Sequence, residues 1–545
     1  MKLINFLLLA TALAYGPDSL AQRNSFAERM QPELARAALQ NLDEALDEDL
    51  PSLQQALPGY QPPSGNAVNL AVALFSSGPE EPESLGAKFT FMLKHRLVEA
   101  AGYSLQTSPV RWEQYRRVVY AGEQSFFLPG QDQELFLQRF RERTGARFGL
   151  TGSLAERGDT LYFNIHLRDL QSGESLLEQD YHSATNALPS LMADMIRDVL
   201  NALGLAIERP ETLRQRHPAS LDTLRDILAT RCDGRSCSRR QSHLYNVVRE
   251  KPFPSAYIWL SETSGQEDSQ VVDTLQQGLS RWPEHAILKY LLAMHMPRGE
   301  RRDPNRERMQ LITDLAARYP DFLEFQFRAV VDLAWCCYTR EALALARSVL
   351  QRHPAHYRAW LVYTRAVSRY AWNIRGNHPW SRVPERGRRQ FPKLIPLAES
   401  AASRSLSLNE YEPDTWVNHA IHPPGATEQT RSALLRAIEL APHDSWAYEA
   451  GMLNFRRVWG GSINEQMQFF HLAVENNPRA QWPFDLHRST YLQGSKWRVR
   501  GAATMNRLGC GYGCRQYLGW GLGILLLLMA PLGLLLWHRS RQGYF

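Results

Sequence analysis

Cysteine is scarce, with six in 545 residues. Disulfides cannot hold so long a chain together, and a hydrophobic core must do so. A large charge of either sign is missing too. Lys and Arg total 62 against 56 Asp and Glu, a formal net charge of +6, which is too mild to mark a nucleic-acid binder. The motifs H-E-x-x-H, G-x-S-x-G, the P-loop and the dinucleotide-binding fingerprint are all absent. No catalytic, cofactor-binding or metal-ligating residues are expected on this reading. What is present is ordinary for folded protein, 44% hydrophobic and 22% charged, and the length suggests two to four domains.

Both ends are apolar. Met1-Lys2 followed by the uncharged run Leu3–Tyr15 has the length of a signal-peptide core, with small residues at Ser19 and Ala21 for cleavage after Ala21. Residues 1–21 are therefore expected to be a signal peptide. Residues 517–537 carry no charge, with Tyr517, Trp520 and Trp537 near the ends, and would cover roughly 31 Å as a helix. They are expected to form one transmembrane helix, leaving 538–545 as a short cytoplasmic tail. The implied location is the bacterial inner membrane, single-pass, with the bulk of the chain periplasmic. Arginines before Tyr517 would face anionic lipid headgroups.

Residues 22–65 read as an N-terminal helix and a linker. Ser25 can cap the helix, Met30, Leu34, Ala37 and Ala38 recur at helical spacing, and Pro51–Pro63 is rich in Pro, Gly and Gln. Residues 66–205 read as an α+β domain. Val68–Phe75 is strand-like, and Ser84 opens a helix that Gly102 closes. A second helix covers Gln133–Thr144. In Leu161, Phe163, Ile165 and Leu167 the apolar residues alternate with Tyr162, Asn164, His166 and Arg168, the period of a half-buried strand. With Phe148–Leu154 and Ser175–Tyr181 it gives three antiparallel strands, and a helix over Pro189–Leu203 closes the unit. Arg157-Gly158-Asp159 reads as a hairpin turn. Helices are expected on one face of the sheet.

The stretch Thr144-Gly-Ala-Arg-Phe-Gly-Leu-Thr-Gly-Ser-Leu, and the hairpin ending in the turn Asp169–Gly173, resemble the amino-terminal domain of TolB and its FlgO- and CsgG-like relatives. The resemblance covers about 140 residues, and its motifs are structural. It implies a domain that binds partners rather than one that catalyses.

From 215 to 490 the sequence predicts helix after helix. Pro283, Pro320, Pro354, Pro413, Pro442 and Pro478 mark units separated by 37, 34, 59, 29 and 36 residues, near the 34-residue period of tetratricopeptide repeats. An all-α solenoid similar to those repeats is expected, with its curved face free for a partner. The long gap holds an insertion, Asn373–Pro392, read as a loop. Its Trp380, Arg382, Arg386, Arg388 and Arg389 are the candidate partner-binding residues, suited to an acidic protein or lipid headgroups rather than nucleic acid. Cys232 and Cys237 enclose a turn-like run and are the disulfide candidate. Cys336 and Cys337 read as buried thiols. His353/His356 and His419/His422 lack nearby carboxylates or thiols and read as solvated or capping residues. Ser462 and Glu465 have capping-box spacing. The expected function is a non-enzymatic scaffold or sensory accessory in the cell envelope, with protein partners and no cofactor. The alternative is an obligate activator of a cell-envelope enzyme, or such an enzyme itself.

Overall fold

The computed structural model describes most of residues 20–107, 145–210 and 269–477, and only isolated positions outside those ranges. By internal contacts the chain divides into two compact units, Met1–Pro423 and Pro424–Phe545.

The first unit opens with α1 (Leu20–Ala45) and the short α2 (Leu53–Ala56), which Ser52 and Gln55 close with a reciprocal capping box. A sheet follows. Its strands are β1 (Val68–Val72), β2 (Ser76–Ser77), β3 (Leu105–Gln106), β4 (Phe148–Arg157), β5 (Thr160–Asp169) and β6 (Ser175–Ala184). The alternation in β5 acts as expected. Leu161, Phe163, Ile165 and Leu167 are buried, while Tyr162 is 41% exposed. Two helices lie on the buried face. In α3 (Glu83–Ala100), Phe89 meets Phe163 at 4.5 Å, and in α4 (Leu188–Ala202), Asp198 accepts from the Tyr181 hydroxyl at 2.8 Å. Gly102 ends α3 at φ +60°, and the amides of Gly102 and Tyr103 bond back to Glu99 and Val98.

The fold class departs from expectation. β4, β5 and β6 are antiparallel, but β1 runs parallel to both its neighbours, β3 and β4, so the sheet is mixed. Nor do the sheet and the following helices form separate bodies. One hydrophobic core runs from Ala35 through the sheet to Ala401. The fold is mixed α/β rather than an α+β domain followed by an independent solenoid. The reason is the turn after α3. Tyr103 packs against Tyr319 at 4.4 Å, Phe322 at 5.5 Å and Phe325 at 5.7 Å, all from the helical region.

That region comprises α5 (Ser269–Arg281), α6 (Ala286–His295), α7 (Arg306–Arg318), α8 (Leu323–Trp335), α9 (Thr339–Arg352), α10 (Tyr357–Arg375), α11 (Glu385–Leu408) and α12 (Pro413–Ala420). The stretch read as a loop, Asn373–Pro392, is mostly ordered structure. α10 extends to Arg375, a single 3₁₀ turn covers Trp380–Arg382, and α11 runs straight through Pro392 and Pro396. An interior proline costs a helix about 3 kcal/mol, which here is offset by packing along α10. The two helices meet closely at Gly387, where a Cβ would lie 2.7 Å from the Ile374 carbonyl oxygen. In an exposed helix Gly→Ala stabilises by about 1 kcal/mol. Here the sign should reverse, with Gly387→Ala destabilising by about 1–3 kcal/mol as a fall in thermal midpoint. An unchanged or raised midpoint would show that the two backbones are not in contact.

The second unit contains α13 (Glu428–Leu440), α14 (Ser445–Asn454) and α15 (Ile463–Asn476). The expected capping box at α15 is formed, with Ser462 and Glu465 each accepting from the other's amide. Gly460 before it has φ +87°, and a Cβ on Gly461 would strike the Phe455 carbonyl at 2.2 Å.

Among the described residues no helix is long and apolar enough to cross a membrane. The expected membrane-spanning architecture, and the single-pass inner-membrane location drawn from it, are corrected by that finding. The long helices are amphipathic. α1 carries Glu33, Arg36, Asp43 and Glu44, and α11 carries Arg386, Arg388, Arg389, Lys393 and Arg404. Residues 517–537 and 538–545 lie outside the described residues, as do residues 1–19 of the expected signal peptide.

Candidate functional site

The prolines that mark the repeats have a structural task. Pro283, Pro320 and Pro354 each begin a two-residue turn before a helix, and the residue two positions after Pro283, Pro354 and Pro442 caps the next helix with its side chain. His285 Nδ1 accepts from the Leu288 amide at 3.3 Å, His356 Nδ1 from Arg358 at 3.2 Å, and Asp444 from Trp446 at 3.0 Å. The pair His353/His356 therefore holds a cap, and His356 is buried rather than solvated. His419 Nδ1 lies 3.5 Å from Ser403 Oγ, and His422 is outside the described residues.

Buried polar clusters fasten this first unit, among them two that tie distant elements together. In one, the carboxylate of Glu324 accepts from the Tyr290 hydroxyl at 2.7 Å and from both terminal nitrogens of Arg358. Glu324 is 2% exposed. Burial pulls the Arg358 guanidinium down, but the Glu324 carboxylate outweighs it and holds the group above its ordinary pKa. Burial, reinforced by Glu324, pushes the Tyr290 hydroxyl well up. Tyr290, Glu324 and Arg358 follow one another at intervals of 34 residues. That spacing was the sequence signal for this cluster.

The other cluster joins sheet and helices. His285 Nε2 lies 3.4 Å from a Glu99 carboxylate oxygen, and both side chains are buried. Since Nδ1 accepts a backbone proton, the neutral ring carries its hydrogen on Nε2, the nitrogen that faces Glu99. Burial lowers the His285 pKa, against the pull of Glu99, and raises the Tyr103 hydroxyl beside it. A cleft of about 970 Å³ opens next to this junction, lined by Tyr103, Ser104, Gly204, Arg209, Arg318 and Asp321. Its cations are engaged. Arg209 donates to the Tyr319 hydroxyl at 2.7 Å and Arg318 to Glu284 at 2.6 Å.

The feature that most resembles a binding site is a groove with a helix in it. α1 lies against α9 and α11, and α2 against α9. Ala35, Leu39, Leu42 and Ala45 form one buried stripe along α1. Burial of each leucine contributes about 2 kcal/mol. Polar groups set direction and register. Arg404 Nε donates to Gln31 at 3.2 Å, the Tyr363 hydroxyl to the Ala38 carbonyl at 3.2 Å, and Arg340 to the Asp49 carbonyl at 2.9 Å. Arg347 grips both carboxylate oxygens of Asp43. Part of the surface of the helical region is thus covered by the chain's own N-terminal segment. Local periodicity missed this docking. The acidic run from Asp43 to Asp49, matched to arginines some 300 positions away, was the available hint.

The sequence-derived partner residues are brought together in part. Trp380 is 47% exposed, and Arg382, Arg388 and Arg389 are exposed. Arg386 turns inward and donates to the Tyr370 hydroxyl at 2.5 Å and to Gln390 at 3.3 Å. Cys232 and Cys237 lie outside the described residues, and so do Cys337, Cys510 and Cys514. Cys336 is buried, as expected. Among the described residues no group of three or more His, Cys, Asp or Glu side chains is placed to hold a metal ion. In comparison with other proteins, no family model matches the chain, and no curated protein matches it.

Proposed function

We propose that the protein is a non-enzymatic interaction scaffold whose helical region docks amphipathic helical segments with an acidic side. The observation that carries this reading is the docked segment 31–49. It is read by an apolar stripe for register, by Arg347 for an acidic side chain, and by Tyr363 and Arg340 for main-chain carbonyls. A surface with that chemistry accepts the same kind of helix from another protein, as helix-in-groove recognition does elsewhere. The TolB-like resemblance of residues 66–205 agrees in pointing to binding.

The test must overcome the high effective concentration of the tethered helix. In the full chain, Asp43→Arg places like charges opposite Arg347 and loosens the native helix. A labelled peptide of residues 27–49 with Asp43 intact should bind that variant at least tenfold more tightly than it binds the unaltered chain. The same peptide carrying Arg at position 43 should bind at least tenfold more weakly. Equal binding of the two peptides, or none to the loosened variant, would overturn the reading.

A further inference from the structure

Six large apolar side chains are notably exposed among the described residues, and three of them, Trp335, Tyr338 and Trp380, belong to neighbouring turns of the helical region. Trp335 ends α8 and Tyr338 precedes α9. Arg369 of α10 bonds to the Ala334 carbonyl at 3.2 Å, and its guanidinium lies 5.8 Å from the Trp335 ring centre. Asn373, one turn further, donates to Thr339 at 3.2 Å. Next along the same helix, Trp372 meets Phe391 at 5.0 Å, and Phe391 meets Trp380 at 6.4 Å. Arg375 lies over both Trp372 and Phe391, at 5.1 and 5.6 Å. Arginines of α10 thus lie against the rings of Trp335, Trp372 and Phe391, and Trp380 adjoins Phe391.

The charge of this edge of the helical region is lopsided. Residues 369–393 contain six arginines and Lys393 against the single acid Glu385, so seven minus one gives +6. The whole chain has the same formal net charge of +6. The excess positive charge of the protein is thus matched by one segment. Trp335, Tyr338 and Trp380 are 39%, 49% and 47% exposed. Such a combination of solvent-facing aromatic rings and arginines is typical of residues that dominate protein interfaces.

We propose that this edge docks an extended acidic segment of a protein partner, with apolar residues set between its carboxylates. The proposal rests on the scaffold reading and adds a second surface to it, separate from the groove that holds α1. The carboxylates would meet Arg382, Arg388 and Arg389, and the apolar residues would pack on Trp335, Tyr338 and Trp380. The ring arrangement favours a peptide over a nucleic-acid strand. Base stacking needs an open ring face. Here guanidinium groups already lie over Trp335, Trp372 and Phe391.

The experiment uses the full chain and three probes: a short fluorescent peptide rich in Glu and Leu, a single-stranded oligothymidine, and vesicles containing phosphatidylserine. The acidic peptide should bind, more weakly as salt rises. The double variant Trp335→Ala with Trp380→Ala should weaken it at least tenfold, and so should Arg388→Glu with Arg389→Glu. These side chains are exposed, so circular dichroism should be unchanged. Arg347→Glu, which removes the groove's hold on an acidic helix, should bind this peptide normally, which separates failure here from failure of the groove reading. No binding of the peptide, or binding indifferent to both double variants, would overturn the proposal. Tighter binding of oligothymidine or vesicles, lost in the same variants, would overturn it in favour of that ligand.

Discussion

Replacing Glu324 with alanine should cost the first unit about 3–5 kcal/mol of stability. The side chain is 2% exposed and accepts from the buried Tyr290 and the mostly buried Arg358. Its removal strands a guanidinium and a hydroxyl in a medium that cannot solvate them. The measurement is the urea midpoint of the full chain followed by tryptophan fluorescence. Removing both ionic partners should be far milder. Glu324→Leu with Arg358→Met fills similar volume without leaving a charge, and should recover most of the loss. If the double variant is no better than the single, the pair is not a coupled buried cluster and Glu324 acts through packing alone.

Acid should destabilise the same region well before carboxylates titrate. His356 is 3% exposed, and burial, with help from Arg358 and His353, holds its pKa well below the usual histidine value. Burial, then Arg352, brings His353 down to about 3. In the unfolded chain both would titrate near pH 6.5. The folded state therefore stays proton-free where the unfolded state takes up protons. Stability is complete above about pH 6.5 and falls as pH drops toward 3. Each fully buried histidine of this kind removes about 2 kcal/mol by pH 5. The share of His353 is smaller, because its side chain is partly exposed. Asparagine can cap a helix but does not titrate in this range. His356→Asn should therefore reduce the slope of unfolding free energy against pH by about one proton between pH 6.5 and 5. An unchanged slope would mean that His356 is protonated in the fold.

Much of the local structure was legible from residue order. The burial of Leu161, Phe163, Ile165 and Leu167 followed from period two, and Gly102 stopped α3 at φ +60°, which glycine adopts without steric cost. The capping box at Ser462 and Glu465 formed as spaced. The candidate site was less legible. Trp380 and its arginines were found by composition, but Trp335 and Tyr338 were not, because they come from another turn. Arg386 was read as surface charge and instead donates to Tyr370. Pro392 suggested a loop because an isolated helix would break there, whereas packing against α10 keeps α11 intact.

The sequence by itself determined which face of β5 is apolar, where Gly102 ends α3, and where the Ser462 capping box opens α15. Those depend on interactions within a few residues, which periodicity and capping chemistry express directly. Only the tertiary structure decided that β1 pairs in parallel with β3 and β4, and that Tyr103 locks the sheet to Tyr319 and Phe325. The same is true of Asp43 meeting Arg347 across 304 positions. These depend on which apolar surfaces find each other after collapse. That choice is made by shape and charge between distant segments, and no local pattern in either segment records it.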